Sequence, residues 1–580
     1  MKKKSVRFSA TLVSALALIL GTTSTTVVAQ AEPVNADKTP EYAAASQALE
    51  NPILSNWSTC EDEKMAEQGL ECTNFVVPLD YSNLDLGTLT LPVARKPAAN
   101  QDEKIGSLFT NPGGPGGEAT KMAGDFAELL GDEVHQKFDV IGIAPRGVEG
   151  EELAQCSVDS SRPAVDEAVF PLTDHEIKQH FALDQSIQDA CAKGPRILQH
   201  MSTADVARDM EQARKAVGDE KITYYGISYG TYVGATYAAL FPNNIRALVV
   251  DGVIDPVGWA TGRGNDHETE PVDERLASGI AGKEALNAAI GECQKAGKDK
   301  CAVADTIMDD WVSLKQTLRM GPAVLKDGTE LRYDILFSSI MSTLYSPSSI
   351  SGALDVIHRL SSDLADSKTD AGAQNPGDGE AEETRPENQQ KRNLGGDESV
   401  EAYKELKSLV EKASEENPAL DEDGVFGSED GDDAYDVRYA GVMCSETLNP
   451  TTEEAFVAAD DRAWGNTGGF GQLWNWQSSV CAKWPVKGSN AYQGPFNIPT
   501  SVPVLIVGND HDPATPGLGA ETYHRTLPTS RLVTVKNGFG HGALGLSKCV
   551  DDVRTDYLVR GEVPEGNVNC DPDKGLFDEE

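Results

Sequence analysis

Three residues, Ser228, Asp512 and His541, have the types and settings that nucleophilic catalysis requires. Ser228 lies in Gly226-Ile227-Ser228-Tyr229-Gly230, between a β-branched and aromatic run at 222–225 and a helix-compatible run that stops at Pro242. A serine hydroxyl near neutral pH is a weak nucleophile. It needs a base within hydrogen-bond reach and a carboxylate that orients the base. The G-x-S-x-G spacing in a strand–turn–helix setting lifts the hydroxyl onto a sharp turn, and the flanking glycines let strand and helix close on each other. The small residues Gly234, Ala235, Ala238 and Ala239 then allow close packing of that helix on a sheet.

Two late loops supply the partners. The strand-like run 502–508 leads into Asn509-Asp510-His511-Asp512-Pro513, and the run 531–535 leads towards Gly538-Phe539-Gly540-His541-Gly542. Asp512 is the expected acid and His541 the expected base. Asp510 is the second choice for the acid, and His511 between them is set aside. Upstream, the strand-like run 105–110 enters Asn111-Pro112-Gly113-Gly114-Pro115-Gly116-Gly117. A loop so rich in glycine leaves its N–H groups unobstructed. Its place before the serine turn suits an oxyanion loop, with Tyr229 N–H as the second donor. Such chemistry calls for no metal and no organic cofactor.

The elements that must position these groups alternate. Strand-like runs at 105–110, 138–143, 222–225, 245–250, 502–508 and 531–535 are separated by helical or inserted stretches, the pattern of a mostly parallel sheet covered on both faces. The order Ser, then Asp, then His is that of the α/β-hydrolase fold. Residues 72–94 read as an antiparallel hairpin or meander in front, and 203–217 as a helix capped by Thr203.

Organisation follows from changes of pattern. Residues 1–31 read as a signal peptide: Lys2, Lys3, Lys4 and Arg7, then an apolar run at 10–20 that is short for a membrane span, then a small-x-small site ending at Ala31. A polar, Ala-rich flexible N-terminus is expected at 32–56. Residues 57–259 and 441–580 make the two parts of the hydrolase core. Residues 260–440 form a mainly helical cap, with an acidic disordered loop near 366–398. The acidic run at 421–433 lacks EF-hand spacing and reads as a solvated charge run.

Composition excludes some partners. The 580 residues carry 92 acidic against 50 basic side chains, a formal charge of −42, which disfavours nucleic acid and anionic membranes. No later stretch is long and apolar enough for stable membrane insertion. Ten cysteines in an exported chain suggest disulfides rather than a metal site. Pairing neighbours in order gives Cys60–Cys72, Cys156–Cys191, Cys293–Cys301, Cys444–Cys481 and Cys549–Cys570. Oligomeric state is not legible.

Taken together, GISYGTYVG, the upstream TADVARDMEQARKAVG, the downstream FPNNIRALVVDGVIDPVGW, NPGGPGG, FDVIGIAPRGV and the segment from VPVLIVGNDHDPATP through NGFGHGAL resemble secreted bacterial tripeptidyl aminopeptidases. These belong to the serine aminopeptidase branch of the α/β-hydrolases, alongside proline iminopeptidases. The resemblance spans roughly residues 55–255 and 440–570. It implies Ser228 as nucleophile, Asp512 as acid, His541 as base and Gly114 as the loop's oxyanion donor. Pro112 stands where related enzymes have histidine, and Ala144 where they usually have aspartate, which bears on loop geometry and substrate fit.

The implied activity is release of short peptides, usually tripeptides, from peptides or proteins with free N-termini. An exopeptidase needs a closed cleft end and an anion for the substrate's α-ammonium. Cap acids, or Glu446 just after Cys444, are the candidates. A single-residue prolyl aminopeptidase or a secreted esterase would keep the same triad. A binding protein on an inactive scaffold is the alternative from another class.

Overall fold

The computed structural model describes residues 39–54, 56–157, 168–370, 391–393, 396–417 and 434–578. The signal-peptide stretch 1–31, the acidic run 421–433 and most of the expected loop at 366–398 lie outside them.

Ten strands form one sheet within the unit Pro40–Glu580. In chain order they are β1 (Ser58–Thr59), β2 (Glu71–Pro78), β3 (Thr88–Lys96), β4 (Gly106–Asn111), β5 (Phe138–Ile143), β6 (Ile222–Ile227), β7 (Ile245–Asp251), β8 (Val504–His511), β9 (Ser530–Phe539) and β10 (Val568–Cys570). Their spatial order is β1-β2-β3-β5-β4-β6-β7-β8-β9-β10. β1, β2, β3 and β5 pair antiparallel in turn, and every pairing from β5 to β10 is parallel. This is the α/β-hydrolase arrangement expected from the alternating pattern.

The apolar runs are continuous because both faces of the sheet are covered. Phe109, Ile141, Tyr224, Val250 and Ile506 enter one core cluster. Their chain neighbours Leu108, Val140, Tyr225, Val249 and Leu505 enter another on the opposite face. Successive side chains of a strand point to opposite sides, so each pair splits between the two cores.

Helix α1 (Pro40–Glu50) packs on the β2–β3 hairpin, and three helices bear on the site: α2 (Ala119–Leu129), α3 (Thr203–Ala216) and α4 (Tyr229–Leu240). α1 occupies a stretch expected to be flexible. Proline suits the first helical position, and alanines at 43–45 favour helix. Ala45 is fully buried, and the Glu41 side chain lies against Gly87 in the β2–β3 turn. The N-cap of α3 is Ser202 rather than Thr203: the Ser202 side chain accepts from Asp205 N–H.

A third core is built by helices between β7 and β8, including Ser278–Ala296, Ile307–Arg319, Tyr333–Thr343, Pro347–Asp370 and Asp397–Glu416. The last two reach into the segment 366–398 from either end, so its borders at 366–370 and 397–398 are helical. This helical layer extends past residue 440, where return of the sheet core was expected. Glu453–Asn466 and Gly469–Gln477 belong to it, because Trp464, Phe470, Trp474 and Trp476 bury in the helical core. Phe337 packs 5.1 Å from Trp311 and 4.9 Å from Phe470, ring centre to ring centre.

Five disulfides join Cys60–Cys72, Cys156–Cys191, Cys293–Cys301, Cys444–Cys481 and Cys549–Cys570. Each closes a loop of 8 to 37 residues, a length at which a crosslink typically contributes about 2–4 kcal/mol. Among the described residues no helix is long and apolar enough to cross a membrane.

Candidate active site

β6 ends at Ile227 and α4 begins at Tyr229, so the whole change of direction falls on Ser228. Its φ and ψ are 57° and −128°. A non-glycine residue held there costs on the order of 1–3 kcal/mol and persists only where its surroundings impose it. Here they do. A Cβ on Gly230 would lie 2.5 Å from the Asn111 carbonyl oxygen, and one on Gly226 would lie 2.5 Å from the Tyr224 hydroxyl. Ser228 N–H donates to the Asp251 carbonyl at 3.1 Å, and the Ser228 carbonyl accepts from Thr231 N–H at 2.8 Å. The side chain of Ser228 remains partly exposed at the crest of this turn.

Asp512 follows the end of β8, and His541 follows β9 by two residues. His541 Nδ1 lies 2.9 and 3.0 Å from the two oxygens of Asp512. Asp512 also accepts from the N–H groups of Ala514, Thr515 and Gly542 and from the Thr515 hydroxyl, at 2.8–3.0 Å. Burial acts to raise its pKa, but His541 and these donors together hold it below the usual carboxylate value. The ionised carboxylate fixes the proton on Nδ1. Nε2 is buried and has no hydrogen-bond partner among the described residues, which leaves its lone pair available as a base. Asp510, the alternative acid, is exposed and turned towards Lys536 and Asn537 N–H.

The base loop is pressed against the serine turn. A Cβ on Gly542 would sit 2.6 Å from Ile227 Cδ1, and Gly542 has a φ of 77°, so glycine is needed for both space and backbone. Asp251 at the end of β7 ties the two loops together: its carbonyl accepts from Ser228 N–H, and its carboxylate accepts from Ala543 N–H at 2.9 Å. The helical layer grips the same loop. Tyr345 accepts His541 N–H at 3.0 Å on its carbonyl, and its ring stands edge-on 4.7 Å from the imidazole. The Asn417 amide donates to the His541 carbonyl at 2.8 Å.

Gly113 is the loop glycine in closest contact with the serine turn. A Cβ on it would meet Ser228 Cβ at 2.8 Å and Tyr229 N at 3.0 Å. Its own N–H is committed to Asn111 Oδ1. Gly114, the predicted donor, comes next, and its N–H has no partner among the described residues. Tyr229 N–H opens α4, where no helical carbonyl lies one turn back to accept it. A strained serine, a buried imidazole with a free Nε2 and two uncommitted N–H groups are what acyl transfer requires.

Residues 108–278 match the family described as "alpha/beta hydrolase fold", and residues 466–570 match the family described as "TAP-like protein". The chain is a serine hydrolase of the α/β-hydrolase fold with a TAP-like C-terminal segment. It is 27% identical over 553 residues to serine protease Hip1 of Mycobacterium tuberculosis, covering 91% of this chain and 92% of that one. It is 26% identical over 560 residues to a tripeptidyl aminopeptidase of Streptomyces lividans, covering 92% and 90%. It is also 27% identical over 563 residues to carboxylesterase B of Mycobacterium tuberculosis, covering 92% and 93%.

In this serine hydrolase Glu446 is 1% exposed, and both of its oxygens are occupied. It accepts from Thr203 N–H at 2.8 Å, from the Thr203 hydroxyl at 2.8 Å and from Trp259 Nε1–H at 3.0 Å. The Thr203 hydroxyl also meets the Tyr229 hydroxyl. The structure therefore places Glu446 in an internal network that steadies the start of α4 and leaves no oxygen turned towards a ligand. Burial pushes its pKa up to about 7 against the pull of those donors. No group of His, Cys, Asp or Glu among the described residues has the geometry to hold a metal ion.

Three contributors escaped sequence reasoning. Asp251 and Tyr345 act through main-chain contacts across the fold, which leave no local signal. Thr515, three residues after Asp512, does carry one: an Asp-x-x-Thr spacing at a strand end is a turn in which hydroxyl and N–H both return to the carboxylate.

Proposed function

We propose that the protein is a secreted serine exopeptidase that removes short peptides, tripeptides in the first instance, from free N-termini. Ser228 Oγ attacks the scissile carbonyl carbon while His541 Nε2 takes its proton. Asp512 holds the imidazole and balances the imidazolium that forms. The N–H groups of Tyr229 and Gly114 receive the oxyanion, each lowering the barrier by on the order of 3 kcal/mol. The C–N bond then breaks, and the leaving amine takes the proton from Nε2. Water, deprotonated by the same nitrogen, cleaves the acyl-enzyme and returns the hydroxyl to Ser228.

The observation that supports the peptidase reading is the similarity to a serine protease over 91% of the chain and to a tripeptidyl aminopeptidase over 92% of it. The flank of the oxyanion loop adds no charge preference, because Glu118 pairs with Lys121 at 2.5 Å and lies 3.8 Å from an Arg438 nitrogen. Export is supported by the leader-like first residues and by five disulfides, which persist in oxidising compartments. N-terminal sequencing of protein from the culture medium should start near Glu32.

A second reading, carboxylester hydrolysis, is favoured by the carboxylesterase relative, which matches over as much of the chain. A peptide series with free or acetylated N-termini, carrying a chromophore after one, two or three residues, separates the cases by the masses of the products. Release after three residues, only with a free amine and lost in Ser228→Ala, supports the proposal. Release after one residue makes it a prolyl-type aminopeptidase. Ser228-dependent cleavage of simple esters with no peptide cleavage replaces it with the esterase.

A further inference from the structure

Asn509 is fully buried at the point where β8 stops following β9. Asn509 pairs with Val535 and His511 with Phe539, so β8 advances two residues while β9 advances four. The extra length of β9 is taken up on two sides. Outside, Asp510 accepts from Lys536 and from Asn537 N–H. Inside, a Cβ on Gly538 would lie 3.1 Å from Asn509 Cβ, so glycine there leaves room for the Asn509 side chain.

That side chain reaches the base loop. Asn509 Nδ2 donates to the Gly540 carbonyl at 2.9 Å and to the Gly542 carbonyl at 2.7 Å, the two residues that flank His541. Its Oδ1 is buried without a hydrogen-bond partner among the described residues. An orphaned buried acceptor is costly and uncommon. Both partners are carbonyls, which only accept, so the NH₂ must face them and Oδ1 goes unpaired. The amide is kept for its two donors.

The loop needs such a hold. Gly540 and Gly542 have φ of 101° and 77°, and glycine is the residue with the most backbone freedom to lose. With glycine on both sides, His541 can swing unless the neighbouring peptides are pinned. Asp512 holds the ring at Nδ1 alone, and a ring held at one atom still pivots, carrying Nε2 with it. From the helical layer, the Tyr345 carbonyl and the Asn417 amide hold the N–H and C=O of His541 itself. Asn509 holds the flanking peptides from the sheet, three residues before Asp512, so acid and clamp share one rigid support.

We propose that Asn509 is a positioning residue for the base: by holding the carbonyls of Gly540 and Gly542 it fixes the backbone of His541 and aims Nε2 at Ser228 Oγ. The assignment goes beyond the exopeptidase reading and holds for an ester or a peptide substrate alike.

The test uses the full-length enzyme with Asn509→Asp and Asn509→Leu, which keep the approximate shape and remove both donors. Rates are read below the melting temperature of each protein. For an activated ester, kcat should fall roughly thirtyfold with KM within about twofold, because a displacement of about 1 Å in a reacting group is enough. Phosphonylation of Ser228 by a fluorophosphonate, which needs no knowledge of the acyl group, should slow to a similar extent. In His541→Ala protein no base remains to be aimed, so adding Asn509→Asp should change the residual rate less than about twofold. If both variants keep kcat and phosphonylation within about twofold while melting earlier, Asn509 is structural only and the proposal is wrong. An equal loss in the His541→Ala background means that Asn509 acts on some other group, which also overturns it. Should Asn509→Asp fail to fold, Asn509→Leu carries the same readings. If neither folds, the wild-type carboxamide decides: two protons protected from solvent exchange support the clamp, and rapid exchange of either overturns it.

Discussion

His541 Nδ1 sits between the two oxygens of Asp512, 2.9 Å from one and 3.0 Å from the other. The nearly even sharing leaves the imidazole one orientation and one tautomer, with Nε2 free. Asp512→Asn would offer an amide N–H to Nδ1 and favour the tautomer whose Nε2 carries the proton. The expected result is a fall in kcat on the order of 10⁴-fold with little change in KM. Asp510→Asn, at the exposed neighbour, should leave kcat within about twofold. Steady-state kinetics on any cleaved ester or peptide reads both.

Thr515 adds a second constraint on the same carboxylate. Its hydroxyl donates to Asp512 Oδ2 at 2.9 Å and lies 3.2 Å from His541 Nδ1. Thr515→Val keeps the shape and removes that bond. A hydrogen bond to a charged group is worth about 1.5–3 kcal/mol, so kcat should drop roughly ten- to a hundredfold.

Much of the site was legible because its signals are local. The serine turn announces itself through Gly226 and Gly230, and the base loop through Gly540 and Gly542, each forced by a close approach. The sheet was legible because both of its faces are covered, which makes apolar runs continuous. Illegible features depend on partners far apart in sequence. Glu446 reads as a free acid until Thr203 and Trp259, 243 and 187 residues away, close on it. Asp273 reads as one surface acid among many, and only the fold shows it buried, with Oδ2 lacking a hydrogen-bond partner among the described residues. The helical layer reaches Gln477 rather than stopping near 440, because the tryptophans at 464, 474 and 476 find their cover in the core built by helices far earlier in the chain.

Gly542 is required for geometry rather than for chemistry. Gly542→Ala places a Cβ 2.6 Å from Ile227 Cδ1, in a backbone region that alanine rarely adopts. The combined strain should cost about 2–4 kcal/mol, seen as a lower melting temperature, and should displace His541 enough to lower kcat severalfold. Gly545→Ala makes the control: its φ is 69° with nothing within 4 Å of the new Cβ. It should show the backbone cost alone, about 1 kcal/mol, with kcat unchanged.

Glu446 makes stability depend on pH with a predictable sign. Burial raises its folded pKa from 4.5 to about 7. Between those values the folded chain binds the proton that the unfolded chain has released, so stability falls as pH rises through this window. The contribution is intact below pH 4.5, is lost progressively up to about 7, and amounts to roughly 3 kcal/mol at one pKa unit per 1.4 kcal/mol. Glu446→Gln cannot titrate. Its amide replaces one acceptor oxygen beside Thr203 and Trp259, a fixed cost that does not vary with pH. Denaturant melts of both proteins from pH 4.5 to 8 should therefore show the variant gaining on the wild type up to about pH 7 and running parallel to it above. A constant difference across the range would mean that Glu446 is ionised throughout, its three donors outweighing its burial.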